Sequence, residues 1–321
     1  MSEIEILAFA KINLYLEVLK KRDDGYHEVE TIFQSINLSD TLHFVSIRER
    51  KKIVVFCNHP DLPLGRKNLV YQAAQLVFEK FNLPGGVKIE IKKKIPVGGG
   101  LGGGSTDAAA TLIGLTSLYE LDLSEIELWS LAQKLGCDVP FFLKGGTALG
   151  KGRGDKIASL APLPETIFLL VLPGFSVSTT WAYQQLNAVR NRNLSTAEQP
   201  ISNGVKNYLT KKTKSVKIIQ ESIERRDCKN LGHHLYNRLE KSVFKKYPEL
   251  QTIKEDLLKA GASGALMSGS GSTIFGIFPE EKLARGAAFQ MKRKGYKVLV
   301  TQNCQRGWEL KNSNIKNQNH L

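Results

Sequence analysis

Cysteine is scarce in this chain, and the residues that usually accompany metal chemistry form no pattern. Its four cysteines, Cys57, Cys137, Cys228 and Cys304, show no paired spacing, and its six histidines form no H-x-x-x-H set. A disulfide framework and a metal centre are both disfavoured. Long apolar runs are missing too: none approaches the roughly 20 residues that a membrane span requires. An alternating strand pattern begins almost at Met1, so the expectation is a soluble protein of a reducing compartment, the cytoplasm. Negative charge is in short supply, with 31 Asp and Glu against 45 Lys and Arg, a net charge of +14 and a pI near 9.5. That balance implies an anionic partner, whether nucleic acid, a membrane surface or a polyphosphate substrate. With 321 residues, 42% of them hydrophobic, the chain is long enough for two globular domains.

What the chain does have is glycine in one place. Val87 to Lys92 alternates as a strand, Pro96-Val97-Gly98-Gly99-Gly100-Leu101-Gly102-Gly103-Gly104-Ser105-Thr106 follows, and beyond Asp107 to Ala110 the run Thr111 to Tyr119 has helical apolar spacing. Backbone N–H groups free of Cβ atoms, at the positive end of a helix, form a cradle for phosphate. Ser105 or Thr106 either caps that helix or faces a phosphate or its Mg²⁺. Gly98, Gly100 and Gly103 satisfy G-x-G-x-x-G, yet Lys88, Glu90 and Lys92 give the preceding strand one wet face, which a dinucleotide fold excludes. The P-loop pattern fails because Gly104 stands where its lysine belongs. A cation for bound phosphate must come from elsewhere.

Along the chain, Ile4 to Lys20 reads as a long strand with Lys11 and Asn13 on one face, about 7 Å apart. Asp23-Asp24-Gly25 is a turn, and Glu28 to Leu38 returns as a hairpin strand. Tyr26 and His27 at its start suit either an ordinary hairpin end, favoured on this dipeptide alone, or a platform for a base. Further strands are expected at Thr41 to Ile47 and Lys52 to Cys57, and a helix at Leu69 to Phe81. Ser124 and Glu127 form a capping box before a helix burying Ile126, Trp129, Ala132 and Leu135, with Gly136 as its stop. Asp138, followed by Val139 and Pro140, either caps the next turn or serves as a rigid base, and the two are compatible. Gly145 to Asp155 reads as a glycine-rich turn, and the proline-bearing Leu160 to Glu165 as the domain boundary. Beyond it come a buried strand at Ile167 to Leu172, a helix start at Thr179 to Leu186, and a basic excursion at Asn187 to Lys217. Aromatics are sparse in that excursion, which argues for a solvated face over a nucleic-acid stripe. Helices at Ile219 to Arg226 and Glu249 to Ala260 precede a second glycine and serine loop, Gly261 to Thr273, and the strand Ile274 to Phe278. That loop is either a tight connection or a second wall around the first loop's ligand. A helix and strand over Glu281 to Val300 close the chain, and a tail beyond Gln305 is expected to be disordered.

Three stretches in order, Ala10-Lys11-Ile12-Asn13-Leu14, Pro96 to Ala110 and Gly264 to Thr273, resemble the GHMP small-molecule kinases. Asp24-Gly25-Tyr26-His27 and Gly136-Cys137-Asp138-Val139-Pro140-Phe141-Phe142 are similar to the branch whose acceptor is a cytidyl-diphosphate-linked methylerythritol, an isoprenoid precursor. The resemblance implies an α+β, two-domain fold: a ribosomal-S5-domain-2-like domain at 1–160, a ferredoxin-like domain at 161–304, and a polar tail at 305–321. It implies ATP, carried as its Mg²⁺ complex, as phosphoryl donor, with Asp138 as base and Lys11 as its partner. Pro96, Val97, Gly98, Gly99, Gly100, Leu101, Gly102, Gly103, Gly104, Ser105 and Thr106 would bind ATP. Asn13, Tyr26, His27 and Tyr183 would bind the acceptor, the aromatics stacking on cytosine, and Asn68 would lie near the nucleotide. A small-molecule partner is implied, with no nucleic acid and no membrane; Mg²⁺ ligands and oligomeric state stay unassigned. Cys137 departs from the small residue expected before Asp138. The alternatives are a sister kinase for homoserine, mevalonate or a sugar, whose acceptors offer no base to stack, and a non-catalytic nucleotide or RNA-binding protein.

Overall fold

The alternation that starts at Ile4 becomes, in the computed structural model, a single 19-residue strand, β1 (Glu3–Lys21). The structure describes residues 2–60, 62–186 and 216–313, so nearly all of the basic excursion at 187–217 lies outside the described residues. The turn at Asp23-Asp24-Gly25 returns the chain into β2 (His27–Ile47), antiparallel to β1 with Val18 opposite Val29. The two strands expected at 28–38 and 41–47 are thus one, kept in register by a bulge opposite Phe9 and Ala10.

The remaining elements follow as β3 (Ile53–Cys57), α1 (Leu69–Phe81), β4 (Gly86–Lys92), α2 (Gly103–Leu118), α3 (Glu125–Leu135), α4 (Val139–Lys144), β5 (Thr147–Lys151) and β6 (Lys156–Ser159). After β7 (Ile167–Leu172) come helical residues at 179–186 (α5) and 216–224 (α6). Next are α7 (Cys228–His234), β8 (Tyr236–Asn237), α8 (Glu240–Lys246), α9 (Pro248–Lys259), β9 (Gly264–Met267) and β10 (Ile274–Phe278). The chain ends with α10 (Glu281–Arg293), β11 (Lys297–Gln302) and β12 (Trp308–Ser313).

Two sheets organise these elements. The first runs β12-β1-β2-β4-β3, with the β5–β6 hairpin on β2 and β8 beside β1. One face is covered by α1, α2 and α3, whose Ala73, Ala108, Ala109, Leu112 and Ala132 share a core with Ile4, Ile6 and Phe44. The apposition of α2 and β2 requires Gly114, because a Cβ there would lie 2.8 Å from Phe44 Cε2. The second sheet, β11-β7-β10-β9, is antiparallel; numbered within this half its strands run fourth, first, third, second, the ferredoxin-like order. Ala10, Ile12 and Leu14 of β1 pack with Phe168, Leu170, Phe275 and Ile277 of that sheet. Each face of β1 therefore meets protein, which is why Lys11 and Asn13 are as buried as their apolar neighbours.

Four local expectations are corrected. The residues after Gln305 are not all a disordered tail, since Trp308–Ser313 pairs antiparallel with β1. Gly145 to Asp155 contains β5, and Gly261 to Thr273 contains β9, because glycine-rich strands lack the side-chain alternation that marks a strand. Ile126 is 83% exposed, although the Ser124–Glu127 capping box and the burial of Ala132 and Leu135 are as expected. It sits in the first turn of α3, where the helix points away from the core.

Candidate active site

The glycine run turns α2 toward an opening between the two sheets. Gly98, Gly100 and Gly102 have φ of +71°, +76° and +74°, conformations that side chains rarely adopt. A Cβ on Gly100 would stand 2.1 Å from the carbonyl oxygen of Ser268. Gly102 is the N-cap of α2 and no side chain caps the helix, so Ser105 and Thr106 lie inside its first turn. The capping alternative for these two residues is thereby excluded, and the first N–H groups of α2 stay available for a ligand.

The second glycine loop braces the first. Ser268 Oγ donates to Gly100 O at 2.9 Å, and Thr273 N donates to Gly99 O at 3.3 Å. Asn237 Nδ2 holds the carbonyl oxygens of Met267 and Gly269, each at 2.7 Å. The reading of Gly261 to Thr273 as a second wall fits these contacts, since Gly269 and Ser270 line the same cavity as the first loop.

That cavity encloses about 480 Å³, and its walls include Lys11, Asn13, Asn68, Asp138, Tyr183 and residues 96–105. Lys11 N donates to Leu101 O at 3.0 Å, fastening the loop to β1. Lys11 Nζ lies 2.7 Å from Asn13 Oδ1 and 3.4 Å from Asp138 Oδ2. Asn13 Nδ2 in turn donates to Thr31 Oγ1 at 2.8 Å, which donates to Tyr15 O at 2.7 Å. Lys11 and Asn13 are thus a bonded pair, closer than their strand spacing suggests. Asp138 precedes α4, with Pro140 inside its first turn, yet its side chain makes no capping hydrogen bond. Its carboxylate is left to Lys11 and the cavity. Burial pushes the neighbouring Cys137 thiol up to about 11, which keeps it protonated beside Asp138.

Tyr26 and His27 lie one residue removed from the cavity wall. The rings of His27 and Tyr183 are 5.5 Å apart, and Tyr183 lines the wall. Burial and the negative Asp138 push the Tyr183 phenol upward, so it stays neutral. Tyr26 is 50% exposed, with the Arg153 guanidinium 5.1 Å from its ring centre. Arg153 also lines the cavity and is held by Asp155 Oδ2 at 2.9 Å. Thr106 is buried away from the wall, its Oγ1 3.5 Å from Gly307 O. Asn68 lines the wall while capping α1, its Oδ1 accepting from Val70 N at 2.8 Å.

Sequence reasoning missed Thr31, Lys67, Lys93 and Arg153, all on the wall. Arg153 sat unnoticed within the glycine-rich turn, although Asp155 two residues on was a signal for a held guanidinium. Among the described residues no group of three or more His, Cys, Asp or Glu is arranged for a metal, and no helix is long and apolar enough to cross a membrane.

A glycine loop opening a helix, a second loop bracing it, and a Lys–Asp pair facing both define a small-molecule kinase. Residues 68–146 match the GHMP kinases N terminal domain, and 219–297 match the GHMP kinases C terminal domain. A crystal structure of 4-(cytidine 5'-diphospho)-2C-methyl-D-erythritol kinase superposes with a TM-score of 0.73 at 35% identity, over 94% of this chain and 99% of that one. Homoserine kinase from Cytophaga hutchinsonii gives the same TM-score at 20% identity, over 96% and 97%, a likeness of fold alone. The 4-diphosphocytidyl-2-C-methyl-D-erythritol kinase of Pelotomaculum thermopropionicum is 42% identical over 93% of this chain and 97% of its own. The chain belongs to the family of 4-diphosphocytidyl-2-C-methyl-D-erythritol kinases within the GHMP kinases.

Proposed function

We infer that this enzyme transfers the γ-phosphoryl group of ATP to the 2-hydroxyl of 4-diphosphocytidyl-2-C-methyl-D-erythritol, in the non-mevalonate route to isoprenoids, in the cytoplasm. The observation that carries the catalytic reading is the Lys11–Asp138 pair, 3.4 Å apart on the wall of a cavity that the glycine loop also lines. Asp138 takes the proton of the acceptor hydroxyl as that oxygen attacks phosphorus. Lys11 holds Asp138 in place and balances charge on the transferring group, which supplies the cation missing from the loop. The N–H groups at the start of α2 receive the ATP phosphates. Ser105 and Asp138 offer hard oxygens on the wall, of the kind Mg²⁺ takes beside phosphate oxygens, so the donor set fits an ATP-borne Mg²⁺. When bound, that ion neutralises phosphoryl charge.

In this reading the acceptor's base packs against Tyr26 and the His27–Tyr183 ring pair, which leaves Arg153 to meet its diphosphate on the way to Asp138. Tyr26→Ala is expected to raise the KM for the cytidyl substrate about 5- to 150-fold and spare ATP, since stacking is worth about 1–3 kcal/mol per base. Equal weakening of both ligands counts against this placement. Gly104→Val tests the loop: the Cβ it adds meets one neighbour within 4 Å, Leu69 Cδ1 at 3.7 Å, an ordinary contact. The expected result is a KM for ATP raised by about tenfold or more with an unchanged melting temperature.

The overall reading is tested by ADP release with ATP and Mg²⁺, comparing the cytidyl acceptor with homoserine, mevalonate and galactose. Turnover with the cytidyl compound alone supports it. Turnover with another acceptor keeps the kinase and discards the substrate. Silence with all four favours a binding protein.

A further inference from the structure

Three buried charged residues meet beside the glycine loop, Lys93 and Asp107 at the cavity wall, and take no part in the chemistry described above. Lys93 stands at the loop's entry, Asp107 just past the first turn of α2 at its exit, and Asp40 on β2. Lys93 Nζ pairs with Asp40 Oδ2, and reaches Asp107 Oδ2 at 2.8 Å. The other oxygen of Asp40 accepts the N–H groups of Lys94 and Ile95 at 2.6 and 2.9 Å. All three side chains are at most 5% exposed. Chains of charged hydrogen bonds at this depth fix geometry strongly, because breaking one strands a charge away from water.

The topology gives the cluster its meaning. Residues 94–102 leave β4 and come back at α2, and Lys93 bridges the two ends of that excursion while Asp40 ties it to the sheet. Lys93 Nζ would lie 3.1 Å from a Cβ on Gly103, so the bridge reaches the helix start itself. We propose that Lys93, gripped between Asp40 and Asp107, is a positioning residue that latches both ends of the glycine loop and so sets its affinity for the phosphates of ATP. The proposal rests on the reading of that loop as the ATP-phosphate site. Lys93 is not the loop's phosphate cation, since two carboxylates already engage it; it acts through the backbone it holds.

The three residues are not interchangeable. In Asp40→Asn an amide cannot both accept the N–H groups of Lys94 and Ile95 and offer an acceptor to Lys93, so one attachment is lost. In Asp107→Asn one oxygen still serves Lys93, and the other carboxylate oxygen, Oδ1, is buried with no hydrogen-bond partner to lose. Asp40→Asn is therefore expected to raise the KM for ATP by about tenfold, and Asp107→Asn to raise it less. The KM for the cytidyl acceptor should move by less than about twofold in either variant, as the latch touches only the loop's side of the site.

The experiment measures both KM values and ATP affinity by calorimetry for Asp40→Asn, Asp107→Asn and Gly104→Val, with melting curves on each. If Asp40→Asn does not fold, Lys93→Gln, whose shorter and uncharged amide loosens the grip on both carboxylates, takes its place and should also weaken ATP selectively. An ATP-selective loss in Asp40→Asn or its replacement, larger than in Asp107→Asn, supports the latch. A melting temperature that falls with ATP affinity intact, or equal losses for both substrates, overturns it and leaves only a structural cluster. If Gly104→Val leaves ATP binding unaltered, the reading of the loop fails. If Gly104→Val weakens ATP and the latch variants do not, the latch alone fails.

Discussion

Asp138→Asn is expected to lower kcat by about 10²-fold or more, the usual scale for a positioned base, with the KM for ATP and the melting temperature nearly unchanged. The carboxylate makes no capping hydrogen bond and its side chain is 35% exposed, so an amide of the same shape costs the fold little. What the amide cannot do is accept the acceptor's proton. Single-turnover rates with saturating ATP and cytidyl acceptor isolate the chemical step. Near-normal rates in this variant remove Asp138 from the mechanism.

Lys11→Met is expected to be as severe. The ammonium group is almost wholly buried, where charge acts through a low dielectric. Its loss frees Asp138, leaves Asn13 Oδ1 without its donor, and takes the cation from the transferring phosphoryl group. The backbone bond from Lys11 N to Leu101 O survives the substitution, so the loop stays docked on β1. A decrease in kcat of about 10²-fold or more is expected, and the double variant Lys11→Met/Asp138→Asn should be barely worse than either single one. Groups that act as a unit lose their joint effect once. Additive losses in the double variant refute the pairing.

Much of this site was legible because its signals are local. A wet-faced strand, a glycine run and an alanine-rich helix in succession identified the loop, and Ser124 with Glu127 identified the start of α3. Lys11 and Asn13 were recognisable as unusual because apolar residues surround them. The latch was not legible, since Asp40 is 53 residues from Lys93 and its partner only through the β2–β4 pairing. Tertiary contacts of this kind leave no period in the sequence. Ser105 and Thr106 carry the right chemistry for a cap, but Gly102, in the left-handed conformation, starts the helix before them. The last strand was missed for a different reason: Trp308 and Leu310 alternate with charged residues, but polar composition outweighed that short alternation.

The strand at 308–313 closes the outer edge of β1. Gly307 N donates to Lys144 O at 3.1 Å, Phe9 N donates to Gly307 O at 3.0 Å, and Trp308 Nε1 donates to Leu143 O at 3.0 Å. The segment leading into β12 is thereby threaded between α4, which follows Asp138, and β1, which carries Lys11. β1 and its outer partner β12 are separated by nearly all of the described chain, so their pairing is among the least local in the fold. Without β12 the Ile4 to Ala8 stretch of β1 would present an unpaired edge, the kind of edge that invites other chains to pair. Residues outside the cavity thus brace, through backbone and indole hydrogen bonds, both the strand that carries Lys11 and the helix that follows Asp138.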